Sequence, residues 1–128
     1  LVQRASAGAT AQIEAHCEPG ASDRLSGDQA VHLANIAREA LSNSLRHAQP
    51  QRVEIALRSE RESVRLEISD DGAGFDPQAP GRSGVGLTSM AARAKEAGGT
   101  LAIQSSPGKG TGIVVGVPVA VVEPTEPE

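Results

Sequence analysis

From residue 28 to residue 48 the chain holds neither Gly nor Pro, and Leu33, Ala37, Ala40, Leu41, Ser44, Leu45 and Ala48 recur at helical spacing. An apolar or small stripe of that period predicts a helix with one face turned to a core. Ser26, with Gln29 three residues on, fits a capping box, and Asp28 places negative charge in the first turn. Pro50 stops the pattern. The period then changes to two. Val53, Ile55 and Leu57 alternate with polar residues over 52–58, and Val64, Leu66 and Ile68 do so over 63–69, which predicts an antiparallel hairpin turning at 59–62. Residues 72–84 are rich in Gly and Pro and read as a loop. A second helix is expected over 85–97, closed by Gly98 and Gly99, then strands at 100–105 and 112–119 joined by residues 106–111. Upstream, Ala11 and Ile13 give a weak alternation over 10–14, read as an edge strand. Residues 1–8 read as the end of an upstream helix or a linker, 9–120 as one domain, and 121–128 as an acidic, Pro-rich tail. The element order predicts an α/β sandwich: a mixed, largely antiparallel sheet covered on one face by helices.

Composition narrows the picture. The 128 residues suit a single domain. With Phe75 the only aromatic residue, the core must be built from Leu, Ile, Val and Ala, and single-strand nucleic-acid binding by base stacking is disfavoured. A net charge of −4 is also the wrong sign for wrapping nucleic acid. The lone Cys17 excludes an intrachain disulfide and a multi-cysteine zinc site. No apolar run approaches the roughly 20 residues that cross a bilayer, so direct membrane insertion is not expected and a cytoplasmic location is. Because residue 1 is Leu, we expect a piece of a longer protein.

Four groups of residues are candidates for chemistry. On the first helix, Glu39, Asn43 and His47 follow one another at four-residue intervals and share a stripe. A carboxylate and a carboxamide there supply hard oxygen ligands of the kind Mg²⁺ takes alongside water and phosphate; taken alone, the triplet is more often a plain solvated face. At the end of the hairpin, Asp70 and Asp71 lead into Gly72 and Gly74. Asp70 is placed to accept a hydrogen bond from an exocyclic amine, although Asp-Gly is equally a turn pair. Gly84 and Gly86, with Leu87, precede the second helix and would present free N–H groups to an anion. Gly108, Lys109, Gly110 and Thr111 superficially match a P-loop, but Gly110 stands where Ser or Thr is required, and a hairpin turn explains them as well.

Taken in order, the four groups resemble the GHKL (Bergerat-type) ATP-binding fold of sensor histidine kinases, type II topoisomerases, a heat-shock chaperone and mismatch-repair proteins. Residues 38–48 resemble its N box, 70–74 its D-x-G-x-G adenine box, and Gly84 to Leu87 and Gly108 to Thr111 its later glycine boxes. The stretches 86–93, 98–99 and 106–111 resemble the histidine kinases related to the nitrate/nitrite sensors. The resemblance implies ATP and Mg²⁺ as ligands. Asn43 would coordinate the metal, Glu39 would act as base or water-orienting group, and His47 would lie near the phosphates. Asp70 would take the adenine amine, supported by Thr111, with Gly72, Gly74, Gly84, Gly86 and Leu87 shaping the site. It further implies a separate dimerisation domain carrying the acceptor histidine, absent here since His16, His32 and His47 lack the acceptor context, and a response regulator downstream. An anti-sigma-type serine kinase of the same fold and a non-catalytic nucleotide-binding module are the alternatives.

Overall fold

The computed structural model describes residues 2–7, 11–76 and 87–121. The expected sandwich is present. Among the described residues six strands form one sheet in the order β1-β2-β3-β4-β6-β5: β1 Val2–Ala7, β2 Ala11–Cys17, β3 Arg52–Ser59, β4 Ser63–Asp70, β5 Thr100–Ser105 and β6 Thr111–Pro118. Only β2 and β3 are parallel; every other pairing is antiparallel. Two helices, α1 Gly27–Asn43 and α2 Leu87–Glu96, pack on one face.

The alternation read from sequence decides that face. Val64, Leu66 and Ile68 of β4 and Ile113, Val115 and Val117 of β6 are buried against Leu33, Ile36 and Ala40 of α1 and Met90 and Ala94 of α2. The intervening positions carry charge instead: Arg58 meets Glu67 at 2.9 Å, Arg65 meets Glu67 at 3.1 Å, and Arg52 pairs with Glu14 and Glu54. Glu67 raises the pKa of the exposed Arg58 guanidinium through that hydrogen bond and its charge. Ile36, which falls outside the predicted stripe, is fully buried. Together with Met90 it supplies the bulk that an aromatic-free core needs.

Three expectations are corrected. Residues 1–8, read as a helix end or linker, contain strand β1, which pairs with β2 from Ala11 to His16. The short alternation at 10–14, read as an edge, is therefore an interior strand, flanked by β1 and β3. Finally, the first helix is regular only to Asn43; Ser44–Ala48 form a π-helical turn, ended by Gln49 in the left-handed conformation. A widened turn is a local signature of functional positions in helices. The second helix begins at Leu87 among the described residues and closes as expected. The Gly99 N–H bonds to the Ala94 carbonyl at 2.8 Å and the Gly98 N–H to the Lys95 carbonyl at 2.9 Å, a Schellman motif.

The predicted capping box exists. Ser26 Oγ accepts from the Gln29 N–H at 3.1 Å, and Gln29 Oε1 accepts from the Ser26 N–H at 3.0 Å. Gln29 Nε2 also donates to the carbonyls of Ala97 and Pro118, tying the start of α1 to the ends of α2 and β6. Replacing Ser26 with Ala should therefore cost about 1 kcal/mol in urea unfolding, without altering ligand binding. An unchanged midpoint would show that the Gln29 ties alone hold this helix start.

Candidate nucleotide-binding cleft

Register builds the site. Asp70, the last residue of β4, lies opposite Thr111, the first of β6, and Thr111 lies opposite Ser105, the last of β5. Directly opposed residues on antiparallel strands lie about 4.5–5.5 Å apart at Cα, so three polar residues form a row across one end of the sheet. The π-helical turn brings α1 to the same end. There the Ser44 hydroxyl, in a residue only 5% exposed, donates to Asp70 Oδ2 at 3.0 Å. The Gly72 N–H donates to Asp70 Oδ1 at 2.9 Å. Both carboxylate oxygens are thus fixed before any ligand arrives.

The two loops beside this row are interlocked. The Gly108 N–H donates to the Ala73 carbonyl at 2.6 Å, and the Phe75 N–H donates to Ser105 Oγ at 2.9 Å. Gly72 passes so close to α1 that a Cβ would stand 2.5 Å from the Ala48 carbonyl oxygen. Asp71 has a different task. Its Oδ1 accepts from the Gln51 and Arg52 N–H groups, both at 2.9 Å, and so fastens the start of β3.

A cavity of about 240 Å³ opens here. Its walls are mostly apolar, from Ala40, Ile68, Phe75, Leu87 and Ile113, with Asp70, Thr111, Asn43 and His47 as polar members. Ligand clefts usually begin near 300 Å³, so the described residues enclose part of a nucleotide's footprint. Asn43, His47, Asp70, Gly74, Leu87 and Thr111 are thus brought together from α1, the π-helical turn, β4, α2, β6 and the loop after β4. Glu39 is half-buried one turn before Asn43 and does not line the cavity. Gly84 and Gly86 lie outside the described residues. Sequence reasoning passed over Ser44, Ser105 and Phe75. Ser44 was read as part of the apolar stripe, yet a hydroxyl at a core-facing helical position needs a partner, and that was the available signal.

The donors suit magnesium. Asn43 offers one hard oxygen at the cleft, where Arg46 Nη2 donates to its Oδ1 at 3.3 Å. Among the described residues no group of three His, Cys, Asp or Glu side chains can hold a metal. A cation here would have to bring most of its own ligands, as Mg²⁺ does with water and phosphate oxygens.

Fold and cleft define the class: an α/β sandwich whose apolar cleft, headed by a carboxylate, opens at the end of the sheet, as in ATP-binding domains of the kind the sequence resembles. Residues 28–121 match the model of the histidine kinase-, DNA gyrase B- and HSP90-like ATPases, and the chain belongs to that family. It is similar to the sensor histidine kinase LiaS of Bacillus subtilis, 41% identical over 97 residues that cover 76% of this chain and 27% of LiaS. It is also similar to the sensor protein VraS of Staphylococcus saprophyticus, 41% identical over 88 residues, 69% of this chain and 25% of VraS. The chain thus spans about a quarter of the length of these relatives. Among solved structures, the blue-light activated histidine kinase EL346 of Erythrobacter litoralis shares the fold, with a TM-score of 0.73 at 20% identity over 89% of this chain and 36% of that one. The ATP-binding domain of PrrB from Mycobacterium tuberculosis superposes with a TM-score of 0.56 at 25% identity over 70% of this chain and 68% of that one. The chain is an ATP-binding catalytic domain of the histidine-kinase type, and the serine-kinase and interaction-module alternatives are not favoured. No helix among the described residues is long and apolar enough to cross a membrane.

Proposed function

We propose that this chain holds Mg²⁺-ATP and presents its terminal phosphate to a histidine on a separate dimerisation domain of the same sensor kinase, with a response regulator as the later acceptor. The observation that carries this reading is the convergence of Asp70, Thr111, Asn43 and His47 on one apolar cleft. In it the base lies between Ile68, Ile113 and Phe75, with its amine at Asp70. Asn43 would supply an oxygen to the metal and the exposed His47 would contact phosphate, while Glu39, one turn before Asn43 and outside the cavity lining, would keep the base or water-orienting role that the family resemblance implies. When bound, the ion neutralises charge on the phosphates, the main requirement of phosphoryl transfer beyond positioning. For Gly84 and Gly86, which lie outside the described residues, the proposed phosphate role rests on the sequence motif alone. The remaining histidines, His16 and His32, do not line the cleft; they sit beside Glu14 and Glu96 at 3.5 Å. The Met90 and Arg93 region supports placement in the nitrate/nitrite-sensor-like branch, and the domain would work in the cytoplasm.

Thermal unfolding with ATP or ADP, with and without Mg²⁺, tests the proposal. At 100 times Kd, a ligand bound only by the folded chain stabilises it by about 2.7 kcal/mol, roughly 10 °C for a domain of this size. The Asn43→Ala chain should keep a metal-independent shift and lose the additional one that Mg²⁺ brings. No shift of the unmodified chain at millimolar nucleotide would sink the reading.

A further inference from the structure

The hydrogen-bond arithmetic at the end of the sheet fixes which way the Thr111 hydroxyl points. Ser105 Oγ has three partners at 2.9 Å: the Phe75 N–H, the Gly110 carbonyl oxygen and Thr111 Oγ1. A serine hydroxyl has one hydrogen and two lone pairs. The Phe75 N–H occupies one lone pair, and the Gly110 carbonyl, which can only accept, takes the hydrogen. The second lone pair is then left for the hydrogen of Thr111. Thr111 consequently meets the cleft with lone pairs alone. The Ser44 hydrogen is committed to Asp70 Oδ2, and the ionised Asp70 is itself an acceptor. This end of the cleft therefore presents acceptors and no hydroxyl hydrogen.

We propose that Ser105 is a positioning residue that sets base specificity: by accepting the Thr111 hydrogen it keeps the polar end of the cleft an all-acceptor surface, which selects a purine carrying an exocyclic amine. The proposal rests on reading this cleft as the ATP site. An exocyclic amine brings two hydrogens to two acceptors, Asp70 and Thr111. A base lacking the amine leaves both unanswered, which is costly in a largely apolar cleft. Ser105 itself reaches the ligand only through Thr111.

The test measures Kd for ATP and for purine riboside triphosphate, in which hydrogen replaces the amine, on four chains: unmodified, Ser105→Ala, Ser105→Thr and Thr111→Val. The unmodified chain should prefer ATP by at least tenfold. In Ser105→Ala the Thr111 hydroxyl is free to turn and donate, and the preference should fall about three- to tenfold. Ser105→Thr, which keeps a hydroxyl, should restore it. Thr111→Val, which keeps Ser105 but removes the hydroxyl it orients, should show the same reduced preference, so the idea stays testable if Ser105→Ala folds poorly. If Ser105→Ala or Thr111→Val weakens both nucleotides equally and leaves the preference intact, the serine only braces the loop and the proposal is overturned. Equal binding of both nucleotides by the unmodified chain also overturns it while leaving ATP binding standing. Failure to bind ATP at all removes the ATP-site reading and this inference with it.

Discussion

Asp70→Asn should weaken ATP binding by about 30-fold, close to 2 kcal/mol, while leaving the unfolding midpoint of the nucleotide-free chain within a degree or two. The substitution changes almost no volume, so the apolar walls are undisturbed. What changes is polarity. One terminal atom of the Asn amide must be an NH₂ donor. It cannot face Gly72, whose own N–H points at Oδ1 from 2.9 Å. It must therefore face Ser44, whose hydroxyl can rotate to accept it. The site then loses a negative charge, and the edge that would receive an adenine amine carries a donor where it held a lone pair. Isothermal titration with ATP checks the first half and a urea curve the second. Unchanged ATP affinity would mean that Asp70 belongs to the turn rather than to the ligand. A collapse of stability would mean that its bonds to Ser44 and Gly72 matter mainly for folding.

Much of this arrangement is legible along the chain, and the residues that are not share one cause. Each apolar stripe of the core runs into a polar residue at its end. Val64, Leu66 and Ile68 lead to Asp70; Ile113, Val115 and Val117 begin from Thr111; Leu101 and Ile103 lead to Ser105; Ile36 and Ala40 lead to Ser44. Alternation and helical spacing predict the four elements that carry these stripes, though not Ile36, and Asp70 and Thr111 sit beside glycine motifs. Ser44 and Ser105 carried no such mark. Their meaning depends on register, which places Asp70, Thr111 and Ser105 in one row, and on the π-helical turn that starts at Ser44. Neither is a local property. The same limit explains β1: its pairing belongs to β2 rather than to any pattern inside residues 2–7. Glu39 is a different case: it lies one regular turn before Asn43 on the same stripe, yet the cleft is lined by Asn43 and, beyond the π-helical turn's start, His47, without Glu39.

The other large effect is expected from Gly110→Ala, which should destabilise the chain by about 3 kcal/mol and lower the melting temperature by about 10 °C. Two independent observations set that size. Gly110 has a φ of +75°, in the left-handed region where a Cβ is strained. A Cβ there would also stand 2.1 Å from the carbonyl oxygen of Asp70, a fixed backbone atom that cannot rotate aside. Gly108, also at positive φ, has nothing within 4 Å of such a Cβ and provides the control. Gly108→Ala carries the conformational cost alone, about 1 kcal/mol. The difference between the two variants isolates the close approach of residues 105–111 to the end of β4. Because the Gly110 carbonyl also takes the Ser105 hydrogen, relief of the clash should push these strands apart at the cleft. ATP affinity should therefore fall in Gly110→Ala below 20 °C, where the chain is still folded, and stay near normal in Gly108→Ala. Equal losses of stability in the two variants would show that the backbone gives way easily, and that strands β4 and β6 are not held together as tightly at this end as the 2.1 Å approach implies.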